Sequence, residues 1–304
     1  MNNTDLSQEH KKGVYYALAA FLMWGLVPVY FKSVAHIDEF EVIAHRIVWS
    51  CVFLALFLLV KRQLFEALAL LKRPAIVYGL GLSALVISIN WLVFIWAVAQ
   101  DRIVETTLGY FINPLINILF GMAFFGERMR PMQWAAVSLA AVGVVYQIVL
   151  LGELPWVALV LANSFALYGV LRKKITVDSI SGLFIETLWL LPFAVGYMLW
   201  LFSGHQLQFL SEGSPTVYLL LCAGIVTSLP LIAFAAGARR LSLTLIGLLQ
   251  YIGPSIAFLI AVFYYDEPMN MERLTTFILI WIALALFSIE GLLVQRKKRQ
   301  VLSV

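Results

Sequence analysis

The residues that could recognise or move a polar solute are few, and they sit inside apolar runs. Arg46 stands beside His45 in one run, and Glu186 stands deep in another. Around them are Trp24, Trp49, Asn90, Trp91, Tyr110, Asn113, Asn117, Gln250 and Tyr251. An ionisable group is costly inside a membrane, so it usually marks a substrate or ion pathway. Arg46, His45 and Asn90 could orient a polar or anionic group. Trp24, Trp91 and Tyr110 could contact its apolar part. Glu186 is the candidate for exchanging a proton. Each has a plainer alternative: Arg46 can snorkel to the headgroups, Glu186 can make a structural hydrogen bond, and the amides can glue helices together.

Two stretches that hold some of these residues resemble each other. Residues 108–129 read LGYFINPLINILFGMAFFGERM, and residues 248–269 read LLQYIGPSIAFLIAVFYYDEPM. Pro114 aligns with Pro254 and Glu127 with Glu267, an offset of 140 residues. Asn113 precedes one proline, and Gln250 and Tyr251 lie within a turn of the other. Proline removes a backbone donor and disturbs the turn before it. Pro114 and Pro254 are therefore expected to break their helices and expose polar backbone. Paired interruptions in two halves of a membrane protein point to a solute site between the halves. Glu127 and Glu267 are expected to be end caps, with gating as the minor alternative.

The elements that must position these groups follow from composition. The chain has 304 residues, 62% hydrophobic and 12% charged, with a mean hydropathy of +0.92. That leaves too little polar surface for a water-soluble body. Apolar runs of about 20 residues can each cross a bilayer as a helix. Ten transmembrane helices are expected, at 13–32, 39–60, 74–98, 103–125, 131–150, 153–172, 180–202, 214–237, 243–264 and 271–294. With the N-terminus in the cytoplasm, 17 basic residues fall in inside segments and three in outside loops. That asymmetry orients the chain with both termini cytoplasmic. An offset of 140 residues spans five helices, an odd number, so the halves 13–150 and 153–294 are expected to be inverted repeats. Arg46 then lies about 10 Å below one face and Glu186 a similar depth from the other, too far apart for an easy ion pair.

The same sequence excludes other chemistry. It has no Gly-Lys dipeptide, hence no Walker A loop, and no HExxH or GxSxG motif. Cys51 and Cys222 lie in apolar runs without CxxC spacing, and four scattered histidines make no metal site. No cofactor, metal, enzymatic activity or nucleic-acid partner is expected. The expected partners are the lipid bilayer, a small-molecule substrate and, through Glu186, protons.

The pattern resembles the EamA-type permeases of the drug/metabolite transporter superfamily. HRIVWS (45–50), INWLVFIWAV (89–98), LGYFINPL (108–115), FFGERM (124–129) and LQYIGPS (249–255) narrow the resemblance to the RarD proteins. It implies a bacterial inner-membrane permease that moves a small metabolite or drug outward. Tyr110 and Asn113 are replaced by Gln250 and Gly253 in the second stretch, so the site need not be symmetric. A secondary transporter working by alternating access is expected. A non-transporting membrane sensor or receptor is the alternative.

Overall fold

Long apolar segments with terminal caps give a bundle of helices. The computed structural model describes the backbone of residues 3–100, 102–152, 155–211, 213–266 and 271–302. The long helices are α1 (Asn3–Ser33), α2 (Glu39–Val60), α4 (Pro74–Ala99), α5 (Ile103–Phe125), α6 (Pro131–Leu151), α7 (Trp156–Lys174), α8 (Ser179–Ser203), α10 (Ser214–Ala238) and α13 (Met271–Leu302). Between α10 and α13 lie α11 (Leu243–Gln250) and α12 (Ile252–Phe263), separated at Tyr251. Short α3 (Leu64–Ala69) and α9 (Gln208–Ser211) sit in connections.

The caps explain where several helices start and stop. Asp38 Oδ1 accepts from the Glu41 N–H to open α2, and Asp178 accepts from Ile180 and Ser181 to open α8. Ser242 does the same for α11 through Leu245. Such a cap satisfies a donor that the helix leaves unpaired. Gly126 ends α5 at φ 62°, a left-handed conformation that glycine adopts without steric cost.

Among the described residues, eight segments are long and apolar enough to cross a membrane. The molecule is thus a multi-pass membrane protein. α7 carries Arg172, Lys173 and Lys174 in its last turn, and the apolar helix Leu274–Glu290 within α13 is shorter. Leu26, Leu56, Phe193 and Leu199 face outward, as lipid permits. Many of the residues between helices are small: Ala17, Ala20, Ala136, Ala140, Ala158, Ala162 and Ala166 are buried. Small side chains let backbones approach where lipid supplies no hydrophobic drive for association.

Two cores result. One joins Phe21, Leu54, Tyr168, Phe184 and Phe234 of α1, α2, α7, α8 and α10. The other joins Leu108, Phe111, Ala136, Ala140, Tyr251 and Phe277 of α5, α6, α13 and the α11–α12 junction. The principal contacts are α5 on α7, α1 on α12, α4 on α7, α1 on α10, α4 on α8, α2 on α10, α2 on α8, and α6 on α13. α1 also touches α11, which packs on α5.

Two expected features differ. α5 continues through Pro114 without interruption. Only a single backbone bond is lost there, and the surrounding turns are clasped by α7 and α11. The ninth apolar run instead divides at Tyr251, three residues before Pro254. Pro254 removes the donor that the Gln250 carbonyl would need.

Candidate functional site

Call the end of the bundle where α1 starts the near end, and the end where α1 gives way to α2 the far end. Lys173 and the α10–α11 connection meet at the near end, where Arg240 pairs with Glu9. Arg46 is seven residues in from the far-end start of α2. Its Nε donates to Thr227 Oγ1 at 3.0 Å. Thr227 lies thirteen residues into α10, about 20 Å along that helix. The guanidinium therefore points toward the middle of the bundle. It lies 4.7 Å from the Trp91 ring centre and 5.3 Å from that of Phe31. The Tyr30 and Tyr110 hydroxyls lie within its electrostatic reach. Tyr30 donates to the Leu219 carbonyl at 2.9 Å. Tyr110 is 49% exposed beside this group, and the space that it and the guanidinium share is the candidate recess.

Deeper in the bundle, aromatic rings close together. Trp24, Phe165 and Phe234 contact one another at centroid distances of 5.1–5.6 Å. Phe21 and Tyr168 extend the cluster, and Tyr168 stacks on Phe234. Phe234 lies only four residues from the near-end terminus of α10. The recess thus has an aromatic floor built from α1, α7 and α10.

The remaining expected residues are held by neighbours. His45 is fully buried; its Nδ1 accepts from Trp49 Nε1 at 3.0 Å, and Nε2 lies 3.7 Å from Glu41. Asn90 Nδ2 donates to the Leu161 carbonyl and to Ser164 Oγ, each at 2.9 Å, tying α4 to α7. Asn113 Nδ2 donates to the Ala162 carbonyl at 2.7 Å. Asn117 Nδ2 donates to Asn113 Oδ1 at 2.9 Å and to Gln250 Oε1 at 2.7 Å. This amide chain links α7, α5 and α11 beside Pro114. Tyr251 is buried in the second core, and its hydroxyl donates to the Phe111 carbonyl at 3.2 Å. Arg46, Trp91 and Tyr110 come together and Trp24 joins the aromatic cluster, whereas His45, Asn90, Asn113, Gln250 and Tyr251 are spent on contacts with neighbouring helices.

Glu186 is paired with Arg172, not with Arg46. Arg172 Nη1 lies 3.3 Å from Glu186 Oε1, and the Tyr168 hydroxyl donates to Oε2 at 3.4 Å. Both charged groups are buried. Glu127 accepts from the Leu243 and Thr244 N–H groups at 2.7 and 2.9 Å and from Thr244 Oγ1 at 2.8 Å. It caps α11, a helix other than its own. Glu267 lies outside the described residues.

The comparisons with known proteins give the family. Residues 11–149 match the model of the EamA-like transporter family. An uncharacterized transporter of Vibrio cholerae is 45% identical, over 94% of each chain. Protein RarD of Salmonella typhimurium is 45% identical over 96% of this chain and 99% of its own. This chain belongs to the EamA-like transporter family. Within that family it is RarD-like. A crystal structure with 19% sequence identity shares the fold at a TM-score of 0.67, covering 90% of this chain and 96% of that one.

In this EamA-like transporter, several functional candidates escaped the sequence reading. Arg172 adjoins two lysines at a helix end and so looks like one of the interfacial basic residues. Thr227, Tyr30 and Phe31 carry no local signal, since their nearness to Arg46 depends on how α1, α2 and α10 pack. Glu41 belongs to the same group: four residues before His45, it accepts from the N–H groups of Gln208 and Phe209 at the start of α9.

Proposed function

We propose that this chain is a secondary transporter that exports a small metabolite or drug across the bacterial inner membrane by alternating access. Both termini lie in the cytoplasm, and the near end is the cytoplasmic face. The basic residues in the connections at that end support this orientation. Residues 13–150 and 153–294 act as inverted repeats. Support comes from the packing: exchanging α1 with α7, α2 with α8, α4 with α10, α5 with α11–α12 and α6 with α13 leaves the principal contacts unchanged. Ten helices cross the bilayer, α7 and α13 among them, because the exchange gives each a spanning counterpart.

The carrying observation is the convergence of Arg46, Trp91 and Tyr110 beyond a cluster of packed aromatic rings, read as a recess open on the far side. That is the arrangement of a carrier poised toward the periplasm. Repacking α1, α7 and α10 would open the floor and close the recess. Glu186 is the proposed proton-exchanging group. Protonation would discharge its pair with Arg172 and loosen α7 from α8.

Reconstituted protein alone should move substrate into or out of liposomes. Glu186→Gln should abolish pH-driven accumulation while leaving substrate exchange intact. Unchanged pH-driven accumulation in that variant would refute proton coupling. Substrate binding without any flux would favour the receptor alternative.

A further inference from the structure

The charges buried within the bundle do not balance at the recess. Among the described residues, the buried carboxylates have partners. Glu41 receives the α9 N–H groups, Glu105 pairs with Arg102, Glu186 with Arg172, and Glu290 with Arg130. Arg46 pairs with no described carboxylate. Its Nε is taken by Thr227, but no described group accepts from Nη1 or Nη2. Nor are those two nitrogens among the sealed, unpartnered polar atoms, so they reach the open space of the recess. An uncompensated cation inside a membrane is expensive, and a guanidinium edge with two free N–H donors matches the two oxygens of a carboxylate.

We infer that the recess binds an organic monocarboxylate. Its two oxygens accept from Arg46 Nη1 and Nη2, and its flat apolar part lies along Trp91 and Tyr110. The inference rests on the recess being the transporter's solute site. A single unpaired cation selects a monoanion, because a phosphate dianion would carry surplus negative charge into apolar surroundings. An organic cation would find no free buried carboxylate there. His45 and Asn90 supply no donor to the anion: the His45 ring is sealed, with Nδ1 accepting from Trp49 and Nε2 facing Glu41, and Asn90 Nδ2 is spent on α7.

The test is equilibrium binding of radiolabelled benzoate, phenylacetate and indole-3-acetate to the full-length protein in lipid nanodiscs. Unlabelled benzamide, benzylamine and phenyl phosphate serve as competitors. At least one carboxylate should bind, and the three competitors should displace it at least about tenfold less well than its unlabelled form. Arg46→Gln should weaken binding about tenfold or more, with Arg46→Lys intermediate because it keeps the charge and loses the fork. The thermal stability of ligand-free Arg46→Gln should equal or exceed that of the parent, which separates ligand binding from a structural role. Binding of none of the carboxylates would overturn the inference. So would equal competition by the amide or amine, tighter binding of the phosphate, or undiminished binding by Arg46→Gln. Carboxylate binding without flux would instead sink the transporter reading and leave the anion site standing. Flux of neutral or cationic solutes without carboxylate binding would do the reverse.

Discussion

Arg46 and Glu127 represent two uses of a charge in this protein. The Arg46 guanidinium keeps two donors open to a recess. Glu127 commits both oxygens to the first turn of α11, with Lys173 3.8 Å away. A carboxylate on exposed helix N–H groups satisfies donors and opposes the positive end of the helix dipole. Glu127→Ala should therefore cost about 1–3 kcal/mol, read as an earlier unfolding midpoint in detergent micelles. Unchanged stability would mean that water replaces the cap fully. Glu127 was legible as an end-of-helix residue. Which helix it caps was not, because its partners lie more than a hundred residues away.

Helix contacts depend on close backbone approach. A Cβ added to Gly224 of α10 would sit 2.3 Å from the Trp49 carbonyl of α2. Ser50 Oγ also donates to the Gly224 carbonyl at 3.2 Å. Gly224→Ala must then push α2 from α10 and should destabilise by about 1–3 kcal/mol. Gly196 of α8 has open space around it, so Gly196→Ala should be neutral or stabilising by up to about 1 kcal/mol. Paired thermal unfolding curves check both, and equal effects would contradict the packing described. The α11–α12 break shows the limits of local rules. Both Pro114 and Pro254 remove a donor, yet only the second run divides. The proline chemistry is the same; the residue before it (Asn113 against Gly253) and the flanking helices differ.

As the proposed carrier, the whole molecule is open on one side of its aromatic floor and closed on the other. In the proposed orientation, and in a variant lacking Cys51 and Cys222, Tyr110→Cys should react with a membrane-impermeant thiol reagent added from the periplasmic side. Phe234→Cys should resist the same reagent added from the cytoplasmic side until substrate cycling opens the floor. Rapid labelling of Phe234→Cys at rest would contradict a closed floor. In the proposed cycle, the exchange-symmetric contacts let one chain offer two such states: equivalent helix pairs separate at either end with little difference in packing.

Composition and run length were enough to establish a membrane bundle of helices, because lipid admits few other backbone solutions and the apolar runs are unambiguous. The scarcity of charge also singled out Arg46 and Glu186 before any coordinates. Their partners were settled only in three dimensions. Arg172 had to reach Glu186 from α7, Thr227 had to meet Arg46 from α10, and the neighbouring amides had to spend their donors across helices. Those choices depend on side-chain directions and helix rotation, quantities that hydropathy along a chain does not carry.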